Sequence, residues 1–251
     1  MVGAMDGPGE KAGIDDGVAE RVAQIYRLVR RYSRLDVHGL DSIPEGPALL
    51  VANHTGWTGW DFANLYTVIH DDLDRDLFTA VHPNWFKLDR LAEVSRRLGM
   101  YEASVTETVS ILDGDDLVLF FPEGEAGSFK PFGDRYRLEP FQPGFARVAA
   151  AAAVPIVPVV IVGGEETHPT LTRLEFTKDL LGVGLPVPAT LLPLPVRWRI
   201  EVLDPVHPDE YMTPEGADRD VVEDLRADMA QLMQREVQRV VDDRGHPFVE
   251  E

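Results

Sequence analysis

Three short runs of this chain are apolar at every position: Ala48–Ala52, Leu117–Phe121 and Ile156–Val162. A strand with one wet face alternates apolar and polar residues. A run that is apolar throughout must be covered on both faces, as in a parallel sheet sandwiched by helices. The intervening stretches carry helical patterns. Val18, Val22, Ile25, Val29 and Tyr32 recur at three and four residues across 18–35, the helical period. Phe62–His70, Asn84–Leu98, Val105–Leu112, Phe145–Ala153 and Asp220–Val241 read as further helices, and Leu35–His38, Leu77–Val81, Met100–Ala103 and Trp198–Val206 as further strands. The expected fold class is α/β: one domain, 17–245, with a central, mostly parallel sheet flanked by helices. A disordered leader, 1–16, precedes it and an acidic tail, 246–251, follows. The 251 residues suffice for one sizeable domain.

Polar residues gather where two of the apolar runs end. Asn53 and His54 follow the first, then a loop with Gly56 and Gly59, then Asp61. Ligands of open α/β sheets sit at the carboxyl ends of strands. An imidazole with a carboxylate behind it is a general base. Residues seven apart on a continuous helix stand about 10 Å apart along its axis, so the two glycines must fold Asp61 back to reach His54. The alternative for Asp61 is a capping box, with Thr58 as N-cap of the helix that follows. The chain has no GxSxG elbow and no Cys, so the nucleophile is expected to be a hydroxyl of a substrate. The third run of interest, Phe120–Lys130, reads FFPEGEAGSFK and opens a long polar loop, Pro122–Pro143. Glu123 can accept hydrogen bonds from hydroxyls, Gly124 leaves the backbone open to approach, and Lys130, Arg135 and Arg137 can meet a phosphate. Surface salt bridges are the alternative use of these cations.

Asn53-His54 followed by Asp61, then Phe121-Pro-Glu-Gly124, then Val154-Pro-Ile-Val-Pro158, resembles the glycerolipid (lysophospholipid) acyltransferase family over about residues 35–205. Tyr136-Arg137-Leu138 and Gly144-Phe145 are similar to its diacylglycerol-acyltransferase-like branch. The resemblance implies an acyltransferase-like fold, His54 and Asp61 as the catalytic pair, and an acceptor-binding role for Glu123 and Gly124, with Asn53 a further substrate-binding candidate. It also implies an acyl-coenzyme A or acyl-carrier-protein donor. Two positions depart from the family pattern. His54 and Asp61 are two residues further apart, the family's Asp falling on Gly59, and Ala126 stands where a basic residue often follows FPEG-x.

Composition narrows the classes. A net charge of −19 argues against nucleic acid. No 18-residue apolar run is present to span a bilayer as a helix. Zero Cys excludes disulfides and thiol catalysis, and no ligand spacing among the His residues suggests a metal. Two stretches suit peripheral membrane contact. One is the helix 18–35, with five Arg and no acid from Arg21 to Leu35. The other is 180–196, 17 uncharged residues with four Pro, a lipid-docking loop or a lid on an acyl channel. Packing of both against the domain is the alternative. The acidic loop Asp71–Asp76 is expected to be merely solvated.

The expected function is O-acyl transfer to a hydroxyl of a glycerolipid or lysophospholipid, with His54 as base, no metal and no cofactor. The expected location is the cytoplasm, with peripheral contact at the inner face of the membrane. A thioesterase using the same base, a non-catalytic lipid-binding module and, more remotely, a phosphate-handling enzyme are the other readings.

Overall fold

The computed structural model describes residues 13–87, 89–174, 176–177, 184–211 and 219–248. The expected leader therefore lies outside the described residues up to residue 12, as do 180–183 of the apolar loop and 249–251 of the tail. Helix α1 (Asp16–Ser33) starts two residues earlier than its apolar period suggests. The Asp15 carboxylate caps it, accepting the Val18 N–H at 3.0 Å.

β1 (Asp36–His38) leads to β2 (Ala48–Ala52), which lies at the centre of the sheet. β2 pairs in parallel with β5 (Leu117–Phe120) on one side and β6 (Ile156–Val162) on the other, placing Leu50 opposite both Leu119 and Val157. β3 (Leu77–Val81) and β4 (Met100–Glu102) extend the parallel set beyond β5. The strand expected over 198–206 is shorter. β9 (Arg199–Val202) runs antiparallel to β6, and β1 joins its outer edge, giving the order β1-β9-β6-β2-β5-β3-β4. The apolar runs are covered on both sides, as their composition requires: all of β2 and β6 is buried. Alternate residues serve opposite faces. Ala48, Leu50 and Ala52 meet α1 and α2 (Trp60–Thr67). Leu49 and Val51 face the layer of α4 (Val105–Leu112), α6 (Gly144–Ala152) and the long C-terminal α8 (Arg219–Arg244). α8 packs through Leu225, Met229, Met233, Val237 and Val240, a spacing of three and four that keeps one stripe on the sheet. α3 (Asp89–Arg97) sits at the β4 edge.

Three local expectations need correction. The acidic loop after α2 is not merely solvated. α2 runs on into a π-helical turn, Val68–Asp72, and Asp71 and Asp72 pair with Arg27 and Arg30 of α1 at 2.8 and 2.6 Å. The stretch 122–143 is not structureless: it contains α5 (Glu125–Ser128) and a 3-10 turn, Phe132–Asp134. Part of the proline-rich stretch is a strand. β8 (Leu185–Pro188) pairs with β7 (Thr170–Leu174) in a separate two-stranded sheet that follows the short α7 (Gly164–Thr167). Beyond it Leu191 and Leu192 are exposed, while Val196 is buried.

Candidate active site

Strand β2 ends in Ala52, and the two residues after it are used differently. Asn53 is buried and extends the sheet. Its amide oxygen accepts the Ile161 N–H at 2.8 Å and its amide nitrogen donates to the Ile161 carbonyl at 2.9 Å. The side chain thus stands in for one more backbone pair between β2 and β6. One donor and one acceptor position of the amide are thus spent on the sheet.

His54 follows, with its side chain 20% exposed. Its Nδ1 lies 2.8 Å from Asp61 Oδ2. The loop folds back through one of the two glycines: Gly59, in the left-handed region with φ 71°, is the N-cap of α2 and brings Asp61 in at its second residue. The capping-box alternative is not what forms. α2 has no side-chain cap, and Asp61 turns inward. Its Oδ2 also accepts the Thr55 N–H at 3.0 Å and its Oδ1 the Phe62 N–H at 2.8 Å. Burial opposes the Asp61 charge, but His54 and these two N–H groups outweigh it and hold the pKa below the ordinary carboxylate value. An ionised acceptor at Nδ1 fixes the tautomer with the proton there, leaving the Nε2 lone pair for a substrate proton. The imidazole face is stacked on Phe121, ring centroids 3.9 Å apart and planes 10° from parallel.

The FPEG turn wraps behind this pair. Glu123 is buried, with its Oε1 accepting the His54 main-chain N–H at 3.0 Å. Its Oε2 accepts the Glu139 N–H at 2.7 Å and faces the Lys130 Nζ at 3.3 Å. Gly124 (φ 57°) borders open space, compatible with the close approach expected there. Gly127 on α5 is where the two motifs touch: a Cβ there would lie 2.6 Å from the Glu123 Cβ and 3.0 Å from the His54 Cβ. The three cations expected at a phosphate divide. Lys130 is buried between Glu123 and Glu165. Arg135 lies over the Phe132 and Tyr136 rings and donates to the Phe132 carbonyl. Arg137 keeps a side chain 78% exposed, with Asp134 3.7 Å away.

Sequence reasoning passed over several neighbours. No residue pattern marks a role at the site for Phe121, Gly127 or Glu165. His168 has no ligand spacing that marks it in the sequence. It lies edge-on to Trp57 and Trp60, 3.4 Å from Thr58 Oγ1, and burial pushes its pKa down. Among the described residues no group of three or more acidic or His side chains is placed to hold a metal, and no helix is long and apolar enough to cross a membrane.

A family model described as Acyltransferase matches residues 34–162, just over half of the chain and all of it from β1 to β6. An uncharacterized protein of Mycobacterium leprae is 34% identical over 232 residues, covering 87% of this chain and 63% of the relative. An uncharacterized protein of Mycobacterium tuberculosis is 33% identical over 232 residues, covering 87% and 65%. The chain thus spans a little under two thirds of the length of these relatives. In three dimensions it is similar to the crystal structure of the 1-acyl-sn-glycerophosphate (LPA) acyltransferase PlsC from Thermotoga maritima. The TM-score is 0.60 at 18% identity, over 90% of this chain and 79% of that one. The mostly parallel sheet flanked by helices is therefore the fold of a solved acyltransferase.

Proposed function

Because this chain belongs to the acyltransferase family, we propose that it moves a fatty acyl group from a thioester donor to a hydroxyl of a glycerolipid or lysophospholipid. The observation that carries this reading is the His54–Asp61 pair at 2.8 Å, with the Nε2 of the imidazole left for a substrate. His54 Nε2 takes the proton of the acceptor hydroxyl as its oxygen attacks the thioester carbonyl. The tetrahedral intermediate collapses with cleavage of the C–S bond, and the thiolate leaves with the proton that His54 held. Asp61 stabilises the imidazolium between the two transfers. Phe121 keeps the ring in plane, and Gly124 leaves room for the acceptor. Arg137, with its largely exposed guanidinium, is available to a phosphate of either substrate. The donor is acyl-coenzyme A or an acyl-carrier protein, with no cofactor beyond it.

A lipid acceptor gives the exposed apolar side chains of α1 a role. Ile25 and Leu28 stand 61% and 68% exposed beside Tyr32, whose hydroxyl donates to the Pro193 carbonyl and so brings Leu191 and Leu192 alongside. We place the protein at the membrane surface through this face, with Arg21 and Arg31 toward the headgroups.

Free-thiol release tests the chemistry. With a panel of acyl-coenzyme A donors, release should require an added lysophospholipid, glycerol-phosphate or diacylglycerol, and His54→Ala should lower it by at least about 10²-fold. Release that needs no acceptor would make the protein a thioesterase. No release from acyl-coenzyme A or acyl-carrier protein would remove the enzymatic reading altogether.

A further inference from the structure

Lys130 is a cation that the fold has taken out of water. Its side chain is 2% exposed, and its Nζ lies 3.3 Å from Glu123, 3.2 Å from Glu165 and 2.9 Å from the Arg137 carbonyl. Those three partners come from three segments: the FPEG turn, the stretch leading to α6, and the short helix after β6. Burial works against the ammonium, but Glu165 and Glu123 beside it carry its pKa above the ordinary lysine value, so it stays charged. Glu165 is itself pushed up to about 7 by burial, against the pull of Lys130. A substrate phosphate would have to displace one of two buried carboxylates to reach this ammonium. The contacts therefore run inward, in a continuous line: His54 N–H to Glu123, Glu123 to Lys130, Lys130 to Glu165, and Glu165 to the Tyr136 N–H at 2.9 Å.

We propose that Lys130 is a positioning residue for His54: it holds the Glu123 carboxylate in place, and Glu123 fixes the main chain from which the His54 ring projects. The proposal rests on the acyl-transfer reading, in which His54 is the base. The geometry explains why such a hold matters. The peptide N–H groups of His54 and Thr55 are drawn to different carboxylates, Glu123 and Asp61. The ring meets Asp61 and Phe121 together only if both ends of that short segment stay where they are. Displacement of a reacting group by about 1 Å costs roughly 10²-fold in rate. The groups that face Glu123 are Lys130 and the N–H groups of His54 and Glu139, with Glu165 beyond Lys130 and Asp61 on the far side of His54.

The test uses the full chain, labelled with 15N-histidine, and assigns the His54 amide by its loss in His54→Ala. In the wild type that amide, bonded to the Glu123 carboxylate at 3.0 Å, should lie downfield. In Lys130→Met it should move upfield as the Glu123 carboxylate loses its hold and the bond to it lengthens. In the same variant kcat should fall roughly 10²-fold with donor KM little changed. Lys130→Arg should restore most of both signals. If Lys130→Met does not fold, Lys130→Met/Glu165→Gln removes the cation together with one carboxylate and should show the same amide shift. An unmoved His54 amide overturns the proposal, as does a rise in KM at unchanged kcat, which would put Lys130 on the substrate. A wild type that turns over no thioester ends the acyl-transfer reading instead, and the amide shift still decides whether Lys130 holds His54.

Discussion

Asp61 receives three hydrogen bonds and gives none, from the His54 ring and from the N–H groups of Thr55 and Phe62. Asparagine has nearly the same shape but carries two donors on one end, and that end must face one of these N–H groups. Asp61→Asn therefore either breaks a main-chain bond or forces the proton of His54 onto Nε2, where it blocks base catalysis. The expected result is a fall in kcat of about 10³–10⁴-fold with KM nearly unchanged, read by steady-state thiol release. The same substitution bears on acid stability. The folded pKa of Asp61 lies below its ordinary 3.8. Its stabilising contribution is thus complete above that value and is lost as pH falls through the folded pKa. Thermal melts between pH 6 and pH 2 should show the wild type losing stability toward the acid end more steeply than Asp61→Asn. The pairing itself was legible in the sequence, because a glycine such as Gly59 lets the chain adopt the left-handed turn that brings Asp61 back to His54. The use of Glu123 was not. Its partner is the N–H of His54, and a main-chain donor leaves no mark on a residue pattern.

At the scale of elements, the end of β2 is held by a side chain rather than by a strand. Asn53→Ala would leave the N–H and C=O of Ile161 unpaired inside the sheet, each costing about 1–3 kcal/mol. A melting temperature lower by several degrees is expected, at about 2–4 °C per kcal/mol for a chain of this size. The activity that remains should show an unaltered KM for the acceptor. A raised KM with an unshifted melt would instead return Asn53 to the substrate. The strands themselves were readable because an all-apolar run has one physical solution, burial on both faces. The elements misread are those whose local pattern is overruled by tertiary contacts. The acidic loop after α2 looks solvated until Arg27 and Arg30 of α1 arrive beside it. Leu185–Pro188 looks unfit for a strand because of its prolines, yet it forms the edge of a two-stranded sheet, where a missing N–H costs little.

Over the whole molecule, charge and apolar surface are distributed unevenly. The chain carries −19 in total, yet α1 presents Ile25, Leu28 and Tyr32 to solvent with Arg21 and Arg31 near them, and Leu191 and Leu192 stand 82% and 76% exposed on the adjoining loop. The helical period across 18–35 left open whether this helix packs on the domain or faces lipid. In the structure the two uses fall on different sides of one helix. Val18, Val22 and Tyr26 pack against the core around α2, while Ile25 and Leu28 point away from it. Tyr32 joins the exposed side to the site, since its ring lies edge-on to Trp60, next to Asp61. The exposed side of α1 is thus one aromatic contact away from the helix that carries Asp61. Moving a Leu or Ile side chain from water into lipid is worth about 1.5–3 kcal/mol. Ile25→Asp/Leu28→Asp and Leu191→Asp/Leu192→Asp should each weaken partition onto anionic phospholipid vesicles by at least about 10²-fold. Thiol release with a water-soluble acceptor should be unchanged, because none of the four residues touches the His54 pair. Flotation of the wild type should decline as salt is raised, since the arginine contribution is screened over about 8–10 Å. Equal flotation of wild type and both variants would show that this face does not meet the membrane, and the lipid would then have to reach His54 by another route.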